Sequence, residues 1–453
     1  MKAVILAAGK GERISKGKSK LNAESKPKPL IPLLGLSLIE RTIFSAKESG
    51  IYDFVIVVGH RSEEVVKYVE AKQKRLEVNI NFVENKEWVK GNGVSALKAR
   101  RILQEKEDFI LLMCDHVFDS SILKELRDYA KNRRGKCVLC VDKPENVFDL
   151  EDATKIQLGR NKPKVIGKRI KNYNAVDCGI FYCTSEMFDA LEREIEEGRY
   201  VLSDAVQCLI DSDNLEAFDI GGRFWCDIDT PESLKHAEKR MLSSLGKPTD
   251  GFISRCINRK ISTKIFTPLI LKIYKEVTPN QVSLLSFAVA ALSSILFFLC
   301  HPIIGAIFIQ LSSILDGCDG EIARLKNMST GIGGFIDAVL DRYADAIILL
   351  GMFYYVMVTK IFGFYLAPLT IIFTSTLAII GSLMVSYTAA RAIADLNYRH
   401  KGNRDFRLFL LFMGGVLSYI HPVSVFFSLF IIALMTNMTV MWRTAISWKM
   451  FRE

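Results

Sequence analysis

A cluster of carboxylates inside the apolar C-terminal part of the chain places the strongest constraint on its fold. Asp316 and Asp319 lie three residues apart, and Asp337, Asp341 and Asp345 follow at intervals of four, among long apolar runs. Because residues three or four apart share one face of a helix, the spacing predicts two helices that point these carboxylates at one another. Ionisable groups at membrane depth are costly, so they normally face a cavity or a partner. The cluster therefore requires cations, and carboxylate oxygens suit Mg²⁺, Mn²⁺ or Ca²⁺.

Glycines and arginines interspersed with these carboxylates indicate what the site would bind. Gly317, Gly320 and Gly333 leave room for the close approach of a ligand. Arg324 is a candidate clamp for a phosphate group. A structural salt-bridge network with Arg324 and Arg342 is the simpler alternative, but two cations do not balance five carboxylates. The pattern therefore favours a site for two metal ions, which would suit phosphoryl transfer.

The string from Asp316 to Asp341 resembles the signature of the CDP-alcohol phosphotransferases, D-x2-D-G-x2-A-R-x8-G-x3-D-x3-D, at every fixed position. Such enzymes move the phosphoalcohol of a CDP-alcohol onto a second alcohol and release CMP. The resemblance implies that Asp341 takes the proton from the attacking hydroxyl, whereas Asp345 lies outside the family pattern. It also implies two divalent metal ions held by Asp316, Asp319, Asp337 and Asp341, and a CDP site shaped by Gly320, Ala323, Arg324 and Gly333.

Long apolar runs beyond residue 278 predict an all-α transmembrane domain of six helices. Most runs approach the roughly 20 residues needed to cross a bilayer, and the fifth is the shortest. Lys and Arg are absent from the connections at 300–302 and 421–422, whereas Lys326 and the cation-rich run 391–407 lie on the opposite side. This distribution predicts a multi-pass protein of the cell membrane with a cytoplasmic N-terminal domain and a cytoplasmic C-terminus. The six apolar segments are 281–300, 302–325, 333–358, 363–390, 406–420 and 422–443.

The segment before the first crossing mixes cations with apolar residues. Residues 251–276 carry both kinds at helical spacing, which favours a helix lying in the membrane interface. A buried helix that packs under the soluble domain is the alternative.

Arg391, Arg404 and Arg407 lie on the predicted cytoplasmic side, where they either reflect the positive-inside rule alone or bind a phosphate carried by the substrate. The predicted domains are 1–240, a linker with the interfacial helix at 241–277, and the six-helix domain at 278–453.

The first 240 residues alternate strand-like and helical runs, which predicts an α/β Rossmann-like domain with a mainly parallel sheet. Residues 2–6 form a buried strand pattern, and the glycine-rich turn that follows offers backbone N–H groups to phosphates. Lys28 supplies a cation shortly afterwards. The apolar run before Asp115 predicts a strand that ends in a metal ligand, and the stretch 224–231 with Asp227 and Asp229 offers a second acidic site.

Together these features resemble the nucleotidyltransferases that join a nucleoside triphosphate to a sugar phosphate or polyol phosphate. The resemblance implies that Lys28 steadies the charge of the transition state and that Asp115 and Asp227 hold Mg²⁺. It places Asp177 and Gly179 near the polyol. The residues implied to bind the nucleotide are Leu6, Ala7, Ala8, Gly9, Gly11 and Arg13 around the triphosphate, and Gly91, Asn92 and Ser95 around the base.

Two features of this sequence differ from the usual pattern of the nucleotidyltransferases. Glu12 stands where the family usually has a small hydroxyl residue, close to the triphosphate. The loop 14–25 is longer than in the enzymes that act on sugar phosphates. These departures predict either an altered specificity or a degenerate domain.

Charge and cysteine usage restrict the class of partner and the compartment. The net charge of +10 is explained by a membrane surface, because no basic patch is interleaved with the aromatics that would stack on bases. We therefore expect no nucleic-acid partner. Cys137 and Cys140 lie three apart in a predicted strand and should point to opposite faces, which predicts a buried structural role and a reduced, cytosolic domain.

The two halves have related chemistry, since one resembles enzymes that make a CDP-alcohol and the other resembles enzymes that consume one. Their fusion resembles the bifunctional enzymes of di-myo-inositol phosphate synthesis. This implies CTP and inositol 1-phosphate as substrates, CDP-inositol as intermediate, and a second inositol 1-phosphate as acceptor. It also implies Mg²⁺, or alternatively Mn²⁺, in both sites, a lipid bilayer and a homodimer. A phospholipid synthase with a regulatory N-terminal domain and a metal transporter are the alternatives.

Overall fold

The computed structural model describes the chain except for residues 12, 15–25, 105–106, 134, 161, 247–250, 361–365, 399, 401–403 and 453. Both departures from the nucleotidyltransferases, Glu12 and most of the loop 14–25, therefore fall outside the described residues. The described chain forms two compact units, Met1–Arg240 and Met241–Glu453.

The first unit alternates strands and helices over most of its length. Its strands are β1 Lys2–Ala7, β2 Pro32–Leu33, β3 Leu36–Ser37, β4 Asp53–Val58, β5 Asn79–Glu84, β6 Phe109–Met113, β7 His116–Phe118, β8 Cys137–Asp142, β9 Lys155–Gly159, β10 Lys162–Gly167, β11 Ala175–Cys183, β12 Leu215–Asp219 and β13 Trp225–Asp227. Its helices are α1 Leu38–Glu48, α2 Ser62–Leu76, α3 Asn92–Lys98, α4 Ser121–Lys131, α5 Glu186–Glu196, α6 Leu202–Asp211 and α7 Pro231–Ser243, the last of which continues beyond the unit.

The sheet is mixed, so the prediction of a mainly parallel sheet was wrong. Strands β6, β1, β4 and β5 are parallel neighbours, as the Rossmann-like pattern predicted. Strand β11, however, runs antiparallel to β6, β8 and β9, and β10 runs antiparallel to β9. Across the described nine-stranded sheet, four of the eight strand pairings are antiparallel. The cause is the long strand β11, whose pairing partners are distant in sequence and leave no local pattern.

The core of the first unit lies on both faces of this sheet. Ile5 of β1 packs into one apolar cluster with residues of α1, α2 and α4. Its neighbour Val4 packs into a second cluster with residues of α3, α5 and α6. Cys140 and Cys137 divide between the same two clusters, which confirms that they point to opposite faces. Burial on both faces explains why the central strands read as continuous apolar runs.

The described residues of the second unit form helices joined by short connections, with no strand among them, which confirms the all-α prediction. A helical segment at 252–273, called α8, comes first. Thr278 then begins the next helix with a capping box that includes Gln281, and Pro279 occupies its first turn. The remaining helices are α9 Pro279–Phe298, α10 Pro302–Leu325, α11 Gly331–Val358, α12 Pro368–Leu396, α13 Arg404–Val416 and α14 Val423–Arg452.

Four of these helices, α9, α10, α12 and α14, are long and apolar enough to cross a membrane. Helix α11 is also long, with 28 residues, but it carries Asp337, Asp341, Arg342 and Asp345. Helix α13 has 13 residues and corresponds to the segment predicted to be the shortest. The composition of the second unit indicates membrane association.

Helix α8 buries polar as well as apolar residues and exposes apolar and cationic residues. Asn258, Ser262 and Thr267 are buried. The outward residues combine apolar and cationic side chains, which suits a helix in the membrane interface, and that location stays a prediction. Exposed members of this surface include Phe252, Ile265, Leu269, Ile273, Lys260, Lys264 and Lys272.

Candidate active sites

The first site is built around a buried lysine at the carboxyl ends of β1 and β6. Lys28 lies in the 3-10 turn Lys28–Leu30, and its side chain is only 8% exposed. Its Nζ contacts the carboxylates of Asp115, which follows β6, and Asp229, which follows β13. Gly11 of the glycine-rich turn packs directly on this lysine, since a Cβ at Gly11 would lie 2.7 Å from Lys28 Cβ. The structure thus brings the predicted turn, lysine and first carboxylate together.

Asp115, His116 and Asp227 form a group that fits a divalent cation. One ligand atom from each lies within 4.8 Å of the others. Nδ1 of His116 is 2.9 Å from Asp115 Oδ1 and 3.9 Å from Asp227 Oδ1. Asp227 Oδ1 is buried and has no hydrogen-bond partner among the described residues. A buried carboxylate oxygen without a partner suits a metal ligand, because such atoms are otherwise costly to bury.

The pKa values of this site reflect its excess of carboxylates. Burial opposes the charge of His116, yet the neighbouring carboxylates, Asp227 foremost, raise the pKa of His116 to about 9. Burial likewise opposes the charge of Lys28, and Asp115 is foremost among the carboxylates that raise the pKa of this lysine above its usual range. Burial raises the pKa of Asp177 to about 6. The carboxylates therefore stabilise positive charge at the positions of both bases, as they would stabilise a bound divalent cation.

Arg13 lies over the acidic side of the same site. Its Nη1 is 2.5 Å from Asp152 Oδ2, and its Nη2 is 2.8 Å from Asp229 Oδ2. Asp229 belongs to the predicted second acidic stretch but was not assigned a role of its own. Asp152 was not predicted, because it lies in an irregular segment that gives no local signal.

A cavity of about 320 Å³ opens beside these residues. Asp177 and Gly179 line it, and the Gly179 N–H donates to Asp177 Oδ1 at 2.7 Å. Trp225 and His116 also line it, with their rings stacked at 6.0 Å between centroids. Phe148 contributes a further apolar wall. The cavity therefore combines an acidic residue with aromatic walls, an arrangement suited to a small polyhydroxylated ligand.

The other residues predicted to bind nucleotide differ in their accessibility. Asn92 lines the cavity and accepts a hydrogen bond from Leu202 N at 2.8 Å. Ser95 is buried and accepts from Asn85 Nδ2 at 2.9 Å, and Gly91 packs against the carbonyl of Tyr200. At the end of β1, burial leaves only the backbone of the turn for contact with a phosphate. There Leu6, Ala7 and Ala8 are buried, and Gly9 is exposed.

We expect Gly179→Ala to lower the stability of the first unit by about 2–4 kcal/mol. Gly179 has a φ of +68°, and a Cβ there would lie 2.7 Å from the His116 ring. The cost combines a left-handed backbone, unfavourable for alanine by about 1–2 kcal/mol, with overpacking. The measurement is the thermal unfolding of the purified full chain. Gly135→Ala is the matched control, because Gly135 has a φ of +83° and an added Cβ there would have no other described residue within 4 Å. Equal losses in both variants would contradict the predicted contact with His116.

The second site lies between helices α10 and α11. Asp316, Asp337 and Asp341 each place one carboxylate oxygen within 4.8 Å of the others. The two helices therefore bring these three carboxylates together, as predicted. Three carboxylates at this distance form an all-oxygen donor set that fits a hard divalent cation.

An arginine of α13 lies among these carboxylates. Arg404 Nη1 is 2.9 Å from Asp316 Oδ2 and 2.7 Å from Asp341 Oδ1. Its Nε is 3.0 Å from Asp345 Oδ1. Arg407 Nη2 is 3.1 Å from the other oxygen of Asp345. Asp345 therefore pairs with both arginines, a role that the sequence did not indicate.

Asp319 has partners of its own on the same helix and on α9. It accepts hydrogen bonds from Ser283 Oγ and from the backbone N–H of Gly320. Its side chain also borders Asp337, so the fourth predicted ligand adjoins the group. Ser283 was not predicted, and its position in an apolar helix gives only a weak signal.

The remaining predicted residues of the second unit lie in separate surroundings. Arg391 is exposed and pairs with Asp395 at 2.8 Å, whereas Arg404 and Arg407 contact the acidic group. Arg324 Nη2 donates to the carbonyl of Leu245 at 3.1 Å. Ala323 occupies the last turns of α10 beside Arg324, and Gly333 lies in the first turn of α11, where its N–H donates to Thr330 Oγ1.

Two family matches cover these two units separately. Residues 2–244 match the family described as nucleotidyl transferase, and residues 276–448 match the family described as CDP-alcohol phosphatidyltransferase. Among solved structures, the inositol-1-phosphate CTP transferase from T. maritima is 27% identical and aligns with a TM-score of 0.45. The alignment covers 51% of this chain and 90% of the T. maritima protein.

Relatives that contain both units match almost the whole chain. A protein of Rubrobacter xylanophilus named bifunctional IPC transferase and DIPP synthase is 35% identical over 423 residues, which cover 92% of this chain and 90% of the relative. A protein with the same name from Archaeoglobus fulgidus is 33% identical, and the match covers 96% of this chain and 82% of the relative. The one from Thermococcus kodakarensis is also 33% identical, and the match covers 97% of this chain and 95% of the relative. The chain therefore belongs to the family of bifunctional IPC transferases and DIPP synthases, enzymes that combine a nucleotidyltransferase with a CDP-alcohol phosphotransferase.

Proposed function

We propose that this enzyme makes CDP-inositol from CTP and inositol 1-phosphate and then consumes it. In the second step the phosphoinositol group passes to another inositol 1-phosphate, and CMP leaves. The product is phosphorylated di-myo-inositol phosphate. The observation that carries the proposal is the presence, in one chain, of both acidic sites within units that match a nucleotidyl transferase and a CDP-alcohol phosphatidyltransferase.

In the first reaction a phosphate oxygen of inositol 1-phosphate attacks the α-phosphorus of CTP. A new P–O–P linkage forms, and pyrophosphate leaves with the electrons of the broken bond. Lys28 neutralises charge that develops on the phosphate oxygens. Asp115 and Asp227 would hold Mg²⁺, or alternatively Mn²⁺, which supplies further charge neutralisation. The glycine-rich turn binds the triphosphate, Asn92 contacts the base, and Asp177 with Gly179 orients the polyol.

In the second reaction a hydroxyl of the acceptor attacks the phosphorus that carries inositol in CDP-inositol. Asp341 takes the proton of that hydroxyl, and the P–O bond to the acceptor forms. The P–O bond between this phosphorus and the CMP oxygen breaks, and CMP leaves with its electrons. The metal ligands would be Asp316, Asp319, Asp337 and Asp341, and the ions would be Mg²⁺ or Mn²⁺. The CDP moiety is bound by Gly320, Ala323, Arg324 and Gly333, and the acceptor's phosphate by Arg391, Arg404 and Arg407.

The proposed setting is a multi-pass protein of the cell membrane that acts as a homodimer. Residues 1–240 form the cytidylyltransferase domain, 241–277 the linker and interfacial helix, and 278–453 the six-helix transferase domain. Both the N-terminal domain and the C-terminus are cytoplasmic, which agrees with the distribution of Lys and Arg between the helices. A soluble acceptor that carries phosphate is compatible with the arginines of this side.

Product analysis of the purified full chain tests the proposal. We expect CTP, Mg²⁺ and inositol 1-phosphate to give pyrophosphate, CMP and the phosphorylated di-inositol product. The Asp115→Ala variant should form no product from CTP, because it lacks a ligand of the first site. The same variant should release CMP when CDP-inositol and inositol 1-phosphate are both supplied.

The wild-type enzyme without CTP, and with each substrate omitted in turn, provides the control. Folded protein that forms no CDP-inositol would contradict the proposal and favour a phospholipid synthase. Equal pyrophosphate release by the wild type and by Asp115→Ala would contradict the assignment of the first site.

A further inference from the structure

Glu321 lies inside the acidic signature of α10 but occupies one of its variable positions. Its side chain is completely buried, with 0% exposure. It accepts hydrogen bonds from Arg259 Nη1 at 2.7 Å, from Ser262 Oγ and from Thr267 Oγ1 at 2.6 Å. All three donors belong to α8. A buried carboxylate is costly unless it is paired and hydrogen-bonded, so this arrangement holds α8 in one position against α10.

Arg259 extends this arrangement to the backbone of the signature. Its Nη1 also donates to the carbonyl oxygen of Gly317 at 2.9 Å. Gly317 directly follows Asp316, which lies in the group of three carboxylates described above. Glu321 thus orients Arg259, and Arg259 contacts the turn of α10 that carries a predicted metal ligand.

A second polar contact joins the same two helices further from the signature. Asn258 Nδ2 donates to Ser313 Oγ at 3.0 Å, and Asn258 Oδ1 accepts from Gln310 Nε2 at 2.7 Å. This contact shares the helices with Glu321 but does not include the backbone of Gly317. It therefore offers a control that separates docking of α8 in general from the specific contact of Arg259.

We propose that Glu321 is a positioning residue for the transfer reaction and acts through Arg259 on the backbone beside Asp316. The inference rests on the proposed function of the second unit. Metal ligands must be held within about 0.5 Å of their productive geometry, and residues that orient ligands without touching the metal supply that order. Losing such a residue typically weakens metal binding by about 10–100-fold.

The test uses Glu321→Gln in the full chain, in a background of Asp115→Ala that disables the first site. Glutamine keeps the side-chain length but loses the charge that pairs with Arg259. We expect the dissociation constant for Mn²⁺, measured by electron paramagnetic resonance, to rise by about 10-fold. The Mn²⁺ concentration that gives half-maximal CMP release from supplied CDP-inositol and inositol 1-phosphate should rise by the same factor. The kcat at saturating Mn²⁺ should stay close to that of the parent.

Ser313→Ala is the matched control and should leave Mn²⁺ binding unchanged. A purely structural role for Glu321 would reduce the amount of folded protein without changing the Mn²⁺ affinity of the remainder, and that result would overturn the proposal. Arg259→Lys provides a second variant, because lysine keeps the charge but is shorter and lacks the Nη1 that donates to both Glu321 and Gly317. It should weaken Mn²⁺ binding as Glu321→Gln does, and unchanged Mn²⁺ binding by Arg259→Lys would contradict the role assigned to Arg259. Failure of the Asp115→Ala parent to release CMP from CDP-inositol would contradict the proposed function of the second unit. The Mn²⁺ affinities of the variants would then still test the role of Glu321.

Discussion

The Asp341→Asn variant is expected to stop the second reaction and to accumulate CDP-inositol from CTP and inositol 1-phosphate. Asparagine matches the shape of aspartate and retains an oxygen for the contact with Arg404, so the fold should persist. It cannot take up the proton of the attacking hydroxyl, and it is a weaker ligand for a divalent cation. We expect CMP release to fall by about 10³-fold, within the range associated with general-base catalysis. Chromatography with mass detection of CMP, CDP-inositol and pyrophosphate measures both steps in one reaction.

Glu276→Gln is the matched control, since it makes the same chemical change at an exposed position of the second unit. It should release CMP at the wild-type rate. Asp341→Asn should also release pyrophosphate initially at the wild-type rate, because the first site is unchanged. Consumption of CDP-inositol by Asp341→Asn at the wild-type rate would remove Asp341 from the mechanism.

The Lys28→Met variant is expected to lose the first reaction while retaining the second. Lys28 is the buried cation that contacts Asp115 and Asp229, so its loss removes positive charge from the site where charge develops on the phosphates. Methionine fills a similar volume and carries no charge. Removing one stabilising donor of this kind typically costs about 10²–10³-fold in kcat, and we expect pyrophosphate release to fall by that factor.

Lys26→Met is the control for this variant, because Lys26 is exposed and lies two residues earlier in the same segment. It should leave pyrophosphate release close to the wild-type rate. CMP release from supplied CDP-inositol should be equal in Lys28→Met, Lys26→Met and the wild type, which reports that the second unit remains folded. A loss of the same size in both lysine variants would indicate a general charge effect rather than a specific role for Lys28.

Much of the second unit could be predicted because its decisive features are local. The three-residue spacing of Asp316 and Asp319 and the four-residue spacing of Asp337 and Asp341 follow helical periodicity. The structure brings one ligand atom each of Asp316, Asp337 and Asp341 within 4.8 Å of the others. The six predicted segments correspond to the six helices α9 to α14. Long apolar runs predict such helices well, because backbone groups inside a bilayer must satisfy their hydrogen bonds within the same segment.

Strand direction in the first unit could not be predicted in the same way. The parallel core of β6, β1, β4 and β5 followed from alternation with helices, but β11 pairs antiparallel with β6, β8 and β9. An apolar strand has nearly the same residue pattern in either direction. Its direction depends on which distant strand it pairs with, so the mixed sheet emerged only from the tertiary structure.

The sequence by itself determined the two fold classes, the helical placement of the acidic signature and the turn, lysine and aspartate of the first site. Only the tertiary structure decided which charges meet. Lys28 contacts Asp229 across 201 residues, Arg404 contacts Asp316 across 88, and Glu321 meets Arg259 across 62. Periodicity specifies which residues share one element, because it arises from the geometry of a single helix or strand. Contacts between elements depend instead on how whole faces pack, a choice that no short stretch of residues contains.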